Sequence, residues 1–282
     1  MSLDNPLQIF NDTFSSDNVN LESNSPNSEP IPVLNPEEPS SSNLPEAEPS
    51  EVNAVLLDKL DPIPVFTIAD EQGAPLVASG ENEAKVAGVF ISQADANEFV
   101  NQLKTKNPEL ADKVKVVPVS LGEVYKLSET AESQENALNF AYVPEEEAVN
   151  SAKTLGEANQ QPYQGGVPLF VAKGGEEKGY LTIEKDSQQV IPFFFDKAQL
   201  EEMVAKFKEQ KPEVADSVDI EVVPLEGIIE TLETSEDQML EKIVLVPTEE
   251  SIQFLQNSAP SQGTPEAAPA PEAAPAPVAP QN

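Results

Sequence analysis

The sequence predicts an α+β protein built from two pseudo-symmetric tandem repeats, each a small mixed sheet packed by helices. Three observations carry this. The stretch Pro108-Glu109-Leu110-Ala111-Asp112 returns 104 positions later as Pro212-Glu213-Val214-Ala215-Asp216. At that fixed offset the identities continue without a gap through Pro64/Pro168, Phe66/Phe170, Phe90/Phe194, Val100/Val204, Val119/Val223 and Leu121/Leu225. Within each copy, short apolar runs with hairpin signals precede the first long amphipathic helix, which points to mixed rather than doubly wound parallel sheets.

Residues 1–50 hold nine acidic residues, no basic one, and much Ser, Asn and Pro. Such a segment buries too little apolar surface to offset chain entropy, so it reads as a disordered acidic tail. The first repeat spans 51–158. Val52, Val55, Leu56 and Leu60 recur at helical spacing and give a lead-in helix that ends before Pro62. Pro64 to Ile68, Pro75 to Ala78 and Val86 to Ile91 read as strands, with a turn at Glu71-Gln72-Gly73. The third of these is apolar at successive positions, which implies burial on both faces.

Ser92 is placed to cap a helix, with Asp95 three residues on. Ala96, Phe99, Val100 and Leu103 then line one face at i, i+3, i+4 and i+7. Pro108 stops that helix. Val114 to Val119 reads as a strand, Leu121 to Tyr125 as a short helix, and Ser128 to Asn136 as a polar linker. Leu138 to Val143 is the next strand, and Pro144 is expected at the first position of an acidic helix beginning Glu145-Glu146-Glu147.

Asn159 to Gly166 is the loop that opens the second repeat, 159–257. Val167 to Val171, Tyr180 to Ile183 and Val190 to Phe195 repeat the three strands, with the hairpin turn at Lys173 to Gly179. Asp196 caps the following helix, with Gln199 at the capping-box position. Past the linker the offset falls by one, so that Val143-Pro144 meets Val246-Pro247, and a second acidic helix runs from Thr248 to Leu255. Residues 258–282 alternate Ala and Pro and read as an extended, disordered tail, either a spacer or a partner-reaching arm.

Composition removes much chemistry. The net charge is −34, from 50 acidic residues against 16 lysines, with no Arg, His, Cys or Trp. There is no thiol nucleophile, no thiolate or imidazole metal ligand, no imidazole base and no guanidinium clamp for phosphate. The charge opposes binding to nucleic acid and to anionic lipid. No glycine-rich cofactor motif is present, so no cofactor is expected. The Glu145-Glu146-Glu147 run lacks the alternating ligands of a calcium loop and reads as a solvated helix start. Among so many carboxylates, nothing marks any two as a hydrolytic pair. No run approaches the roughly 18 apolar residues of a membrane helix, and the first residues carry no signal-peptide pattern.

The two copies differ in bulk. Val89-Phe90-Ile91 becomes Phe193-Phe194-Phe195, Ala96 becomes Leu200, and Leu103 becomes Phe207. Core filling is one reading. The other is an apolar groove able to hold side chains of an unfolded polypeptide. On that reading the peptide-binding residues are Phe90, Ile91, Phe99, Leu103, Phe193, Phe194, Phe195, Leu200, Met203 and Phe207.

Ile63-Pro64-Val65-Phe66-Thr67, Val89-Phe90-Ile91-Ser92, Leu121-Gly122-Glu123-Val124-Tyr125, Val167-Pro168-Leu169-Phe170-Val171 and Phe193-Phe194-Phe195-Asp196 resemble, in this order, the Tic twenty-two (Tic22) family. Its members are chloroplast intermembrane-space translocon components and their cyanobacterial relatives. The resemblance covers about 52–256 and neither tail. It implies a two-lobed protein with hydrophobic pockets and no enzymatic activity. It further implies chaperone-like binding of unfolded or translocating polypeptides, outer-membrane protein precursors and translocon components among them. Expected partners exclude nucleic acid, and contact with membranes is at most peripheral. The expected compartment is the periplasm or thylakoid lumen, with the cytoplasm as the alternative because no signal peptide is seen. A structural adaptor bridging partners through its tails is the second functional reading.

Overall fold

Short β-branched and aromatic runs, punctuated by Gly, Pro and Asp turns, assemble here into two six-stranded sheets. The computed structural model describes residues 19–21, 51–79, 85–132, 138–174, 179–210, 212, 217–234 and 238–258. Most of both expected tails therefore lies outside the described residues.

The first sheet contains β1 (Val19–Leu21), β2 (Pro64–Asp70), β3 (Leu76–Ser79), β4 (Lys85–Phe90), β5 (Val114–Ser120) and β6 (Leu138–Val143). Its order is β1-β3-β4-β2-β5, with β6 running parallel to β4. The second contains β7 (Pro168–Gly174), β8 (Gly179–Tyr180), β9 (Ile183–Lys185), β10 (Gln188–Phe194), β11 (Asp219–Pro224) and β12 (Ile243–Val246). Its order is β11-β7-β10-β12, with β8 on β7 and β9 on β10. The helices are α1 (Glu51–Leu60), α2 (Gln93–Lys106), α3 (Pro108–Ala111), α4 (Leu121–Glu132), α5 (Glu146–Ala158), α6 (Lys197–Gln210), α7 (Leu225–Thr234), α8 (Gln238–Glu241) and α9 (Glu249–Ser258). None of the described helices is long and apolar enough to cross a membrane.

The central pairings of the two sheets correspond, although β1 has no counterpart among the described strands of the second sheet and the β9–β10 register is shifted by one from that of β3–β4. Phe66 faces Phe90 across β2 and β4, and Phe170 faces Phe194 across β7 and β10. Phe90 pairs with Val143, and Phe194 with Val246, in the parallel ladders. The Leu121 N–H donates to the Ile63 carbonyl at 2.8 Å, and the Leu225 N–H to the Val167 carbonyl at 2.8 Å.

Strand alternation sorts side chains into three cores. Val65, Val89 and Ile91 of the first sheet meet Leu169, Val171, Phe193 and Phe195 of the second in a central core. Helices α1, α4 and α7 complete it with Leu56, Leu60, Leu121, Leu225 and Ile228. Lys59 ties α1 to the second sheet, donating to the Glu241 and Ile243 carbonyls at 2.8 Å each. The outer face of the first sheet (Phe66, Ile68, Phe90) is covered by α2, α3 and Phe254 of α9. The outer face of the second (Phe170, Ala172, Phe194) is covered by Leu200 and Val204 of α6 and by Ala148 and Ala152 of α5. The last helix of each half thus packs on the sheet of the other.

Several elements depart from the sequence reading. Val19–Leu21, expected to lack structure, adds antiparallel to β3, because β3 presents an unpaired backbone edge. Pro108 stops α2, which ends at Lys106, as expected, but also starts the short α3, where the Asn107 side chain accepts from the Leu110 N–H at 3.2 Å. Helix α4 continues through Glu132 into the expected polar linker. Pro144 precedes the cap residue Glu145 and is not the first helical residue. The expected strand Tyr180 to Ile183 splits, since Tyr180 pairs with β7 and Ile183 with β10. A tight turn sits instead at Asp186 and Ser187, whose φ values of 51° and 64° suit a two-residue hairpin loop.

Gly156 on α5 lies under the loop that follows. A Cβ there would fall 2.7 Å from the Gln161 carbonyl oxygen and 2.8 Å from the Tyr163 nitrogen, both backbone atoms. Gly156→Ala is therefore expected to destabilise by about 1–3 kcal/mol despite its gain in helix propensity. Denaturant titration checks this, with exposed Glu157→Ala as the control; an unchanged midpoint for Gly156→Ala refutes the packing argument.

Candidate functional site

The ten residues expected to bind peptide do not form one surface. Phe90, Phe99 and Leu103 are buried on the outer face of the first sheet, with the Phe90 and Phe99 rings 5.7 Å apart. Ile91, Phe193 and Phe195 are buried in the central core. Phe194 and Leu200 are buried on the opposite side of the second sheet, with Met203 packed against them. Phe207 is half-buried near the end of α6. The Phe193-Phe194-Phe195 run is thus divided by strand alternation, two rings to one face and one to the other.

What the fold does bring together is the beginnings of α2, α5, α6 and α9. Ser92 caps α2, its Oγ accepting from the Asp95 N–H at 3.3 Å. The same hydroxyl donates to Glu250 Oε2 at 2.9 Å, across 158 positions of sequence. Glu250 also accepts from the Gln93 N–H at 3.1 Å and the Ala94 N–H at 3.0 Å. A carboxylate from α9 thus satisfies the open amides and positive end of α2.

The start of α5 reaches α2 in a related way. The Asp95 carboxylate accepts from the Glu146 backbone N–H, while its Oδ2 is buried without a partner. On the other side, Gln199 takes the amide orientation that satisfies both its neighbours. It donates to the Pro247 carbonyl at 3.3 Å and accepts from the Glu249 N–H at 3.2 Å. It therefore spans to α9 instead of closing the local capping box expected from sequence. Asp196 does cap α6, accepting from the Ala198 N–H at 2.7 Å.

Between these helix starts lies a cleft of about 570 Å³, lined by Asp95, Glu145 to Glu147, Asn150, Ser151, Thr154, Leu155 and Lys197. Its charge is mostly acidic, and Lys197 is itself ion-paired with Glu201. Burial, helped by Glu98, Glu250 and Glu146, pushes Asp95 up to about 6. Burial, helped by Asp95, Asp196, Glu250 and Glu147, pushes Glu145 up to about 7. Both sites therefore exchange protons close to neutral pH. Among the described residues no group of three acidic side chains is arranged to hold a metal ion. Glu146 and Glu147 are exposed, as a solvated helix start requires, but Glu145 is half-buried.

Sequence reasoning found the Ser92 cap and the acidic start of α5, but not their meeting. The signal available was the second offset: Glu147 and Glu250 stand 103 positions apart, as do Val143 and Val246.

The geometry has counterparts in known proteins. Residues 43–257 match the family model described as the Tic22-like family. The pea protein TIC 22, chloroplastic, is 26% identical over 185 residues, covering 65% of this chain and 68% of the relative. The Arabidopsis thaliana protein of the same name is 24% identical, covering 65% and 63%. The solved structure of Anabaena Tic22, described as protein transport, superposes with a TM-score of 0.65 at 26% identity, over 73% of this chain and 96% of that one. Tic22 from Plasmodium falciparum shares the fold, with a TM-score of 0.60 at 22% identity, over 72% and 96%. The match takes in every described strand except β1 and runs from α1 into α9, so that it includes both exchanged helices, and this chain belongs to the Tic22-like family.

Proposed function

We propose that this protein is a non-enzymatic, chaperone-like factor that binds unfolded or translocating polypeptides during protein transport across an envelope. The observation that carries this is family membership, with an Anabaena relative described as protein transport. Its clients are polypeptides in transit, including outer-membrane protein precursors, and its working partners are translocon components. Its compartment is the periplasm or thylakoid lumen, in line with the chloroplastic naming of the plant relatives. The two halves, 51–158 and 159–257, descend from one duplicated unit. The matched Phe66/Phe90 and Phe170/Phe194 pairings and the 104-residue offset that holds from Pro64 to Leu121 support that descent.

Of the ten expected residues, Phe90, Phe99, Leu103, Phe194, Leu200 and Met203 lie on the covered outer faces and reach a client only where a covering helix is displaced. Ile91, Phe193 and Phe195 hold the two sheets together. The purified protein is expected to delay aggregation of a denatured outer-membrane precursor, with only a weak response to moderate salt because the contacts are apolar. No delay at either low or moderate salt would sink the proposal.

A further inference from the structure

Helix α9 is held to the fold lightly. None of its described apolar side chains is fully buried: Ile252 and Phe254 are half-buried, and Leu255 is 38% exposed. By contrast α2 buries Ala96, Phe99, Val100 and Leu103, and α5 buries Ala148, Val149 and Ala152. Phe254 and Glu250 hold α9 to the first half, while Gln199 of α6 binds its first turn and Thr248 and Ser251 are buried there. Phe254 stands edge-on to Phe66, with ring centres 5.5 Å apart and planes at 84°. Glu250, one helical turn earlier, occupies the amides of Gln93 and Ala94 and the Ser92 hydroxyl. Beneath Phe254 lies Phe66, at 0% exposure, in the same outer core as Phe90 of β4 and Phe99 of α2.

We propose that α9 is a detachable cover over the aromatic outer face of the first sheet, latched by Glu250, and that an amphipathic helix of a client polypeptide takes its place. This rests on the polypeptide-binding reading above. The occupant is defined by what α9 itself presents: a carboxylate and, four positions on, an aromatic residue on the same helical face. The aromatic side chain packs on Phe66, and the carboxylate meets the open amides at the start of α2. Because the cover contributes so little buried apolar area, a client helix with larger side chains at the positions of Ile252 and Leu255 outcompetes it. The cover shields the part of this face around Phe66 that α2 and α3 leave open until a client arrives.

The test uses the full chain and a fluorescein-labelled peptide of residues 247–258. Wild type is expected to bind the peptide weakly, because its own helix fills the site. Glu250→Ala and Phe254→Ala chains are each expected to bind it at least fivefold tighter. The peptide carrying Phe254→Ala is expected not to bind. Hydrogen exchange at α9 amides should rise in both variants while β2 and α2 stay protected, which separates release of the cover from global unfolding. A denatured outer-membrane precursor should displace the bound peptide. Equal peptide affinity in wild type and both variants, or unchanged protection of α9, overturns the cover. A precursor whose aggregation is delayed without any displacement of the peptide overturns this docking site while leaving the chaperone reading standing. If no variant delays aggregation, the chaperone reading falls and with it the client assignment, whatever the peptide does.

Discussion

Replacing Phe195 with aspartate is expected to abolish cooperative folding. The ring is 2% exposed and lies in the core that both sheets share, among Ile191, Phe193, Leu225 and Leu245. A carboxylate there has no cation to pair with among these neighbours and is stripped of water. It stays charged at a cost of several kcal/mol or takes up a proton and still leaves polar atoms unbonded. Domain stabilities of about 5–15 kcal/mol leave little to spare. Phe195→Ala, which removes apolar contact and opens a cavity, is expected to cost about 3–5 kcal/mol, and Phe195→Leu about 1–2 kcal/mol. Phe207→Asp, at a half-buried position on α6, should cost far less. Near-UV circular dichroism and urea titration of the series check the ranking. A Phe195→Asp chain melting within about 1 kcal/mol of the parent would return this residue to the client-binding set and remove it from the structural core.

The second large effect is a stability that rises on mild acidification. Asp95 and Glu145 are pushed up to about 6 and about 7, chiefly by burial. In the unfolded chain they titrate near the ordinary carboxylate range, around 4. The folded state therefore binds protons that the unfolded state does not, between roughly pH 7 and pH 4. Stability is expected to increase as pH falls through that window and to level off below it, the opposite of the usual salt-bridged aspartate. With the solvent's access to both side chains discounting the full linkage value, the pair contributes about 2–3 kcal/mol. General relief of a net charge of −34 acts in the same direction, so the parent curve alone does not isolate the pair. The Asp95→Asn, Glu145→Gln double variant does, because it carries no titrating group at either position. It is expected to be more stable than the parent at pH 8 and to lose much of the slope between pH 7 and pH 5. A double variant whose slope equals the parent's would place the proton uptake elsewhere.

Much of the fold was legible because strand and helix periodicities report burial directly. Val89, Phe90 and Ile91 read as a strand buried on both faces, and they divide between the central and outer cores. Ala96, Phe99, Val100 and Leu103 read as one helical face and are all buried. Periodicity does not say which surface a face meets, and there the reading thinned. Ala148 and Ala152 mark an apolar side of α5 without revealing that it covers the second sheet. Gln199 looked like a local cap because capping boxes are read within four residues, yet its partners are at Pro247 and Glu249. The Tyr180 to Ile183 strand failed on a finer point. Its two ends hydrogen-bond to different neighbours, a choice made by sheet geometry and not by β propensity. At the site, composition showed many carboxylates but could not single out Asp95 and Glu145, whose environment is assembled from four helix starts far apart in sequence.

The exchange of α5 and α9 between the sheets also sets the order in which the chain can fold. A chain emerging from its N-terminus can pair β2, β4 and β5 and lay down α2 before Phe254, whose place is on Phe66, has been made. The ladder and helices of the first half then wait with an aromatic face bare, and the central core waits for Phe193 and Phe195 as well. Contacts closing over such separations raise the contact order and slow the final step, because loop entropy is spent before those contacts form. Neither half has a complete set of surfaces to bury by itself. Synthesis arrested after α5 should therefore leave a collapsed, sticky intermediate, and productive folding should appear only once α9 has been made.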